Sequence, residues 1–253
     1  MLVYQKQARE RIQKELRKKV NTISKAKDAS VNESDTRTIV MLTLSYLLGW
    51  SKVRDGATPF MTSEHRVKGG YADFALVRPD KDGNEDIYAI IEVKRAGTVL
   101  HERHFRQARD YAINAGVKWV ALTNGDDWQV YRVEIDASKK PAVPIVLPVF
   151  SVTLSDTSVR PGDRADIFYH LSEEASRKDE LEKLFESAQA IAPKNLAMTL
   201  LNKSVITEVR RTVQRETGQK FDNEELANAI ANGTIIQDLL PDDIDRRIKR
   251  AMK

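Results

Sequence analysis

Between Tyr71 and Lys94 the chain holds two runs of alternating side chains separated by the turn-rich Arg78-Pro-Asp-Lys-Asp-Gly-Asn-Glu85, the pattern of an antiparallel hairpin. Side chains two apart share a strand face. Ala72, Phe74 and Leu76 therefore fall with Ile87, Ala89, Ile91 and Val93 on one wholly apolar face. The opposite face carries Tyr71, Asp73, Ala75 and Val77 with Tyr88, Ile90, Glu92 and Lys94, and a Val77–Tyr88 pair sets Asp73 directly opposite Glu92. Charged groups at the end of a buried strand cost free energy unless something compensates them, so this hairpin constrains fold and site together.

The flanking segments extend the pattern. Ala8, Ile12, Leu16, Val20 and Ile23 make the stripe of an amphipathic helix over Tyr4–Ile23. A second helix is expected from near Asn32 to Gly49, with Ser30-Val-Asn-Glu33 resembling a capping box and Ile39, Leu42, Leu47 and Leu48 facing the core. Thr62–Lys68 reads as a strand, His101–Ala115 as a helix stopped by Gly116, and Lys118–Thr123 and Trp128–Glu134 as strands around the turn Asn124-Gly-Asp-Asp127. Ala137–Pro148 reads as a connector and Val149–Leu154 as one more strand. Beyond Ser172 the chain reads as helical, with stripes at Leu181–Ile191 and Leu196–Val213, and with Asp222 and Asp242 as caps for two last short helices. The class is α/β (α+β), a central mixed sheet between helices. Three segments follow: a basic amphipathic helix over 1–30, a core over 31–154, and a helical region over 155–253.

The chain has no cysteine, which excludes disulfides and thiolate metal sites and suits a reducing, cytoplasmic compartment. No apolar run approaches the roughly 18 residues of a membrane span, and the N-terminus lacks a secretory h-region, so no membrane partner is expected. Net charge is only +4, but residues 1–30 hold nine Lys or Arg against three acids, which suits an anionic partner or a solvated helix face.

Two carboxylates held side by side raise each other's pKa unless a cation separates them. Either Lys94 or a divalent ion meets that need at Asp73 and Glu92. Mg2+ (or Mn2+) favours oxygen ligands and keeps several waters, so these two carboxylates, one backbone carbonyl at Val93 and a substrate phosphate suit it, with Lys94 left to orient water and balance charge on the phosphate. The alternative is an ion pair without metal. Gln107 and Tyr111 lie four apart on one helix face, with His104 one turn earlier, and can point at the triad; as structure alone they are a surface residue and a core aromatic. Arg95, Arg103, Arg106 and Arg109 can meet DNA phosphates or merely solvate the helix.

The runs Gly70-Tyr-Ala-Asp73-Phe-Ala-Leu, Ile-Ile-Glu92-Val-Lys94 and Gln107-Ala-Arg-Asp-Tyr111 resemble the PD-(D/E)XK superfamily, including the Q-x-x-x-Y motif of RecB-like nucleases. Together with Asn32-Glu-Ser-Asp-Thr-Arg, Leu48-Gly-Trp50 and Leu122-Thr-Asn-Gly-Asp-Asp-Trp128, they are similar to the N-terminal nuclease domain of type I restriction enzyme R subunits. The resemblance spans residues 31–135 and extends weakly to Ser172. It implies a restriction-endonuclease-like core and Mg2+-dependent DNA cleavage. Asp73 and Glu92 would be metal ligands, Lys94 catalytic base or charge stabiliser, Gln107 and Tyr111 auxiliary. It also matches Glu33 to an acidic residue that can approach the metal, although a Glu in a first helical turn is stabilising there anyway. No G-x-x-x-x-G-K-[ST] occurs in these residues, so ATP-driven translocation is not carried over. A binding or regulatory module working with other restriction or defence subunits is the rival reading. Metal-assisted phosphodiester hydrolysis does not by itself choose DNA over RNA. His101-Glu-Arg-His104 lacks the zincin spacing, and Trp50 and Trp128 read as core.

Overall fold

In the computed structural model, which describes residues 2–53, 59–67, 70–80, 82–136, 140–141 and 143–252, and the backbone alone at 65–67 and 70, two helices precede the sheet: α1 (Val3–Asp28) and α2 (Glu33–Tyr46). Ala8, Ile12, Leu16 and Ile23 are the buried stripe of α1; Lys6, Lys14, Arg17, Lys18 and Lys25 are exposed, while Arg9, Arg11 and Lys27 pair with Asp166, Glu174 and Asp126. The cap of α2 is Asn32, whose side chain accepts the N–H of Asp35, so the capping box expected from Ser30 is replaced by a one-residue cap. Thr36, Val40, Thr43 and Leu44 form its buried stripe, while Ile39 and Leu42 are only partly covered. Leu47 and Leu48, just beyond the helix, are buried as expected, and the two polar residues on the inward face, Thr36 and Thr43, are why an apolar count places Ile39 and Leu42 there instead.

Six strands follow: β1 (Phe60–Val67), β2 (Gly70–Pro79), β3 (Glu85–Val93), β4 (Trp119–Thr123), β5 (Asp127–Asp136) and β6 (Val143–Thr153), paired in chain order. β3 and β4 are parallel and the other neighbours antiparallel. The crossover that a parallel pair needs is α3 (Glu102–Ala115), ended by Gly116 at φ 69°, the left-handed conformation glycine adopts without strain. Phe105, Ala108, Tyr111 and Ala112 of α3 bury against Ile90, Val120, Leu122 and Val133 of the sheet. Helices lie on both sides of this mixed α+β sheet, as the sequence implies.

The hairpin departs from simple alternation at two points. Val77 pairs with Ile87, not Tyr88, because the ladder shifts register after Leu76. The bulge moves Ile87 to the face of Ala75 and Val77, with which it packs. Phe74–Ile91, Ala75–Ile90 and Leu76–Ala89 keep the expected register. Ala72 packs with Ile90 under α3 rather than with Phe74 and Leu76. The pairs on either side, Ser63–Phe74 and His65–Ala72, bracket Glu64, whose φ of 49° breaks the extended backbone opposite Asp73.

The segment read as a connector to Pro148 is strand from Val143 onward. Pro144 and Pro148 are tolerated because β6 is the sheet edge, where an absent N–H leaves no neighbour unpaired. Lys68 of the expected strand, and residues 137–139 and 142 of the expected connector, lie outside the described residues.

The remaining helices are α4 (Pro161–Phe168), α5 (Glu173–Ser176), α6 (Glu180–Ala190), α7 (Pro193–Leu200), α8 (Lys203–Thr217), α9 (Asn223–Gly233) and α10 (Ile244–Met252). The Leu196–Val213 stripe is two helices, broken where Asn202 caps α8. Asp222 caps α9 in a capping box with Glu225. Asp243, not Asp242, immediately precedes α10 and pairs with Arg247. Contacts divide the chain after Leu184, into Met1–Leu184 and Phe185–Lys253, where the sequence reading divides it after residues 30 and 154. The first unit keeps both α1 and α4–α5: Arg11 of α1 forms a two-pronged pair with Glu174, Trp50 Nε1 donates to the carbonyl of Leu171, and the N–H of Glu173 donates to that of Leu48. In the second unit Ile206, Ala227, Ala231 and Ile248 close a small core of their own. No helix among the described residues is long and apolar enough to cross a membrane.

Candidate active site

The β2–β3 ladder ends at Phe74–Ile91. Continuing its register brings Asp73 opposite Glu92, and here the Asp73 carboxylate takes over from the ladder, its Oδ2 accepting the N–H of Val93 at 2.7 Å. β3 continues alongside β4, so Glu92 pairs with Leu122 and lies on the same face as Ile90, toward α3. The strands part here, and Glu33, Arg37, Glu64, Asp73, Glu92, Lys94 and Gln107 line one cavity of about 300 Å³.

Glu92 is 4% exposed, and its Oε1 accepts from Lys94 Nζ at 2.5 Å. Burial raises the Glu92 carboxyl above the usual range against the lowering by Lys94, and the charges of Asp73 and Glu33 push it further up. Asp73, with its side chain 10% exposed, meets the Nε of Arg37 through Oδ1 at 2.6 Å, an ionic contact whose angle is not that of a hydrogen bond. Arg37 also donates to Glu33 Oε1 at 3.3 Å, one helical turn earlier. Gln107 donates to the hydroxyl of the buried Tyr111 at 2.7 Å and borders the cavity.

Several contacts hold these groups in place. Thr36 is fully buried, donates to the carbonyl of Asn32 and accepts the N–H of Ala96 at 2.9 Å, fastening the first turn of α2 to the chain leaving Lys94. The left-handed Gly97 comes next, and a Cβ there would stand 3.1 Å from both the Lys27 carbonyl and Ser30 Oγ. Arg95 donates its Nε to the carbonyl of Ser30 at 2.8 Å. Arg103 and Arg106 are exposed on α3. His104 accepts the N–H of His101 at the start of α3 and does not line this cavity.

The structure thus brings Asp73, Glu92, Lys94, Gln107 and Glu33 to one cavity, with Val93 between the two charged residues of β3 and Tyr111 behind Gln107. Arg95, Arg103 and Arg106 are not among its lining residues. Two residues that the sequence reading passed over also line it. Arg37 lies four residues after Glu33 on α2, a spacing that places both on one helix face. Glu64 stands across from Asp73 in the β1–β2 register, visible only once that register is known.

The donor set fits a hard divalent cation. It consists of carboxylate oxygens without sulfur or imidazole, and the cations Arg37 and Lys94 already offset Asp73 and Glu92. Among the described residues no group of three or more His, Cys, Asp or Glu is gathered closely enough to hold a metal ion, so the fit rests on the pair Asp73 and Glu92 with backbone oxygen and water.

The mixed sheet carries this cluster where β2 parts from β3. Residues 61–146 match the family model of the type I restriction enzyme R protein N terminus. The solved structure of the type IIG restriction endonuclease BpuSI aligns with 58% of this chain and 18% of its own, at 21% identity and a TM-score of 0.31. The chain therefore spans less than a fifth of that protein. No curated protein matches the chain significantly.

Proposed function

We propose that the chain is a divalent-metal-dependent endonuclease of the PD-(D/E)XK type that hydrolyses DNA phosphodiester bonds. The observation that carries this reading is the convergence of Asp73, Glu92 and Lys94 on one cavity at the point where β2 leaves β3. Asp73, Glu92 and the carbonyl of Val93 would hold Mg2+ or Mn2+, with Glu33 at the margin. Such an ion, when bound, polarises the phosphate and acidifies water.

The protein's own groups do the rest. Lys94, paired with Glu92, donates to a phosphate oxygen and offsets the negative charge that builds there. Gln107, oriented by Tyr111, presents its amide to water or phosphate at the cavity edge. Arg95, Arg103 and Arg106 would meet phosphates beyond the cut site. In the hydrolysis a water oxygen bonds to phosphorus, the bond to the leaving sugar oxygen breaks, and a water proton ends on that oxygen. No redox partner is needed.

The test is cleavage of plasmid and linear DNA by the purified chain with Mg2+ or Mn2+, beside Asp73→Ala and Lys94→Ala. Metal-dependent cutting lost in both variants supports the reading, and cutting that survives both overturns it. Tight DNA binding in Mn2+ without cutting would favour instead a DNA-binding module that depends on other restriction or defence subunits.

A further inference from the structure

Arg37 stands where a metal ligand has to be freed. Both oxygens of Asp73 are engaged, Oδ1 by Arg37 Nε at 2.6 Å and Oδ2 by the N–H of Val93 at 2.7 Å. The N–H belongs to the backbone of a central strand and stays. The guanidinium sits on a flexible side chain, 39% exposed and bordering an open cavity, and can leave. We propose that Arg37 is a displaceable counter-ion, holding Asp73 until a divalent cation takes its place and then gripping the phosphate to be cut. This rests on the nuclease reading above.

Charge supports the exchange. Glu33, Glu64, Asp73 and Glu92 face Arg37 and Lys94 in this cavity, leaving two negative charges when all are ionised, the deficit one divalent ion fills. Uptake of the ion therefore requires Arg37 to move within the cavity without being expelled from it. Glu33, one turn before Arg37 and holding its terminal nitrogen at 3.3 Å, provides the tether. Once Nε is free, the planar fork of the guanidinium can meet two phosphate oxygens at once, which a lysine ammonium cannot do. Arginine at this position thus serves the empty site as a charge and the loaded site as a clamp.

The test measures Mn2+ binding without DNA, by the electron paramagnetic resonance signal of free Mn2+, in the wild-type chain and in Arg37→Gln, which keeps much of the side-chain volume and removes the charge. Cleavage at saturating Mn2+ is measured beside it. The expected result is Mn2+ bound about 10-fold tighter by Arg37→Gln, because a competing cation is gone, with cleavage slowed about 100-fold. Arg37→Ala should shift Mn2+ affinity in the same direction, and Arg37→Lys should fail to restore cleavage. Equal Mn2+ affinity in wild type and Arg37→Gln, or wild-type cleavage by Arg37→Gln, overturns the inference and leaves the nuclease reading standing. A wild-type chain that takes up no Mn2+ overturns both.

Discussion

Asp73, one residue beyond the last rung of the β2–β3 ladder, accepts the backbone N–H of Val93 at 2.7 Å. One carboxylate thus closes the ladder and faces the cavity. Asp73→Asn keeps an acceptor for that N–H and loses the charge, so it should stay folded, melt within a few degrees of wild type and cut DNA at least about 100-fold more slowly. Asp73→Ala also strands the N–H, adding a loss of about 1–3 kcal/mol. Thermal melts beside a plasmid assay separate the two effects.

Burial raises the Glu92 carboxyl, so the folded chain binds this proton more tightly than the unfolded chain. The stability linked to that proton is fully present below the ordinary value of 4.5 and is lost as pH rises through the raised folded value. Glu92→Gln, which cannot ionise, should melt higher than wild type near pH 7 without divalent ions, the gap closing toward pH 4. Melts across that range check it. If Glu92 is a ligand, protons also compete with Mn2+ there, and wild-type Mn2+ affinity should fall on acidification at a higher pH than for an ordinary carboxylate.

Much of the site was legible because it depends on local period and register. The helix α3 and its stop at Gly116 follow from local sequence, and the facing of Asp73 and Glu92 follows from a two-residue alternation. The bulge at Tyr88 was hidden, since one extra residue leaves composition unchanged and shows only in the pairing. Pro144 and Pro148 misled because a proline counts against a central strand but not an edge strand, and which strand lies at the edge is a tertiary fact. Glu64 was hidden for a similar reason: its φ of 49° and its place across from Asp73 belong to the β1–β2 pairing. Arg37 is the avoidable miss, because helical spacing from Glu33 already points to it.

Thr36 fastens α2 to the chain beyond Lys94 through its hydroxyl. Thr36→Val keeps the shape, removes the acceptor and leaves the Ala96 N–H unpaired in a buried place. A loss of about 1–3 kcal/mol is expected in denaturant titrations. Cleavage at saturating metal should fall as well, since Glu33 and Arg37 lose their fixed distance from Lys94.

Gly97 has φ 77°, and an added Cβ would press on the backbone carbonyl of Lys27. Gly97→Ala should cost at least about 1–2 kcal/mol from the left-handed backbone alone. Gly116→Ala, with the same handedness at φ 69° and open space around it, should cost less. Paired denaturant melts of the two variants isolate the contribution of the close approach.

In the function proposed above, the carboxylates at the parting of β2 and β3 hold a divalent ion for catalysis. Crystals of the chain soaked in Mn2+ and measured at the manganese absorption edge test it most directly. The expected result is an anomalous peak within bonding distance of both Asp73 and Glu92, with Arg37 withdrawn from Asp73 and Lys94 within reach of the ion's water. Crystals that show Asp73 still paired with Arg37 at saturating Mn2+, with no peak between the two carboxylates, would contradict it.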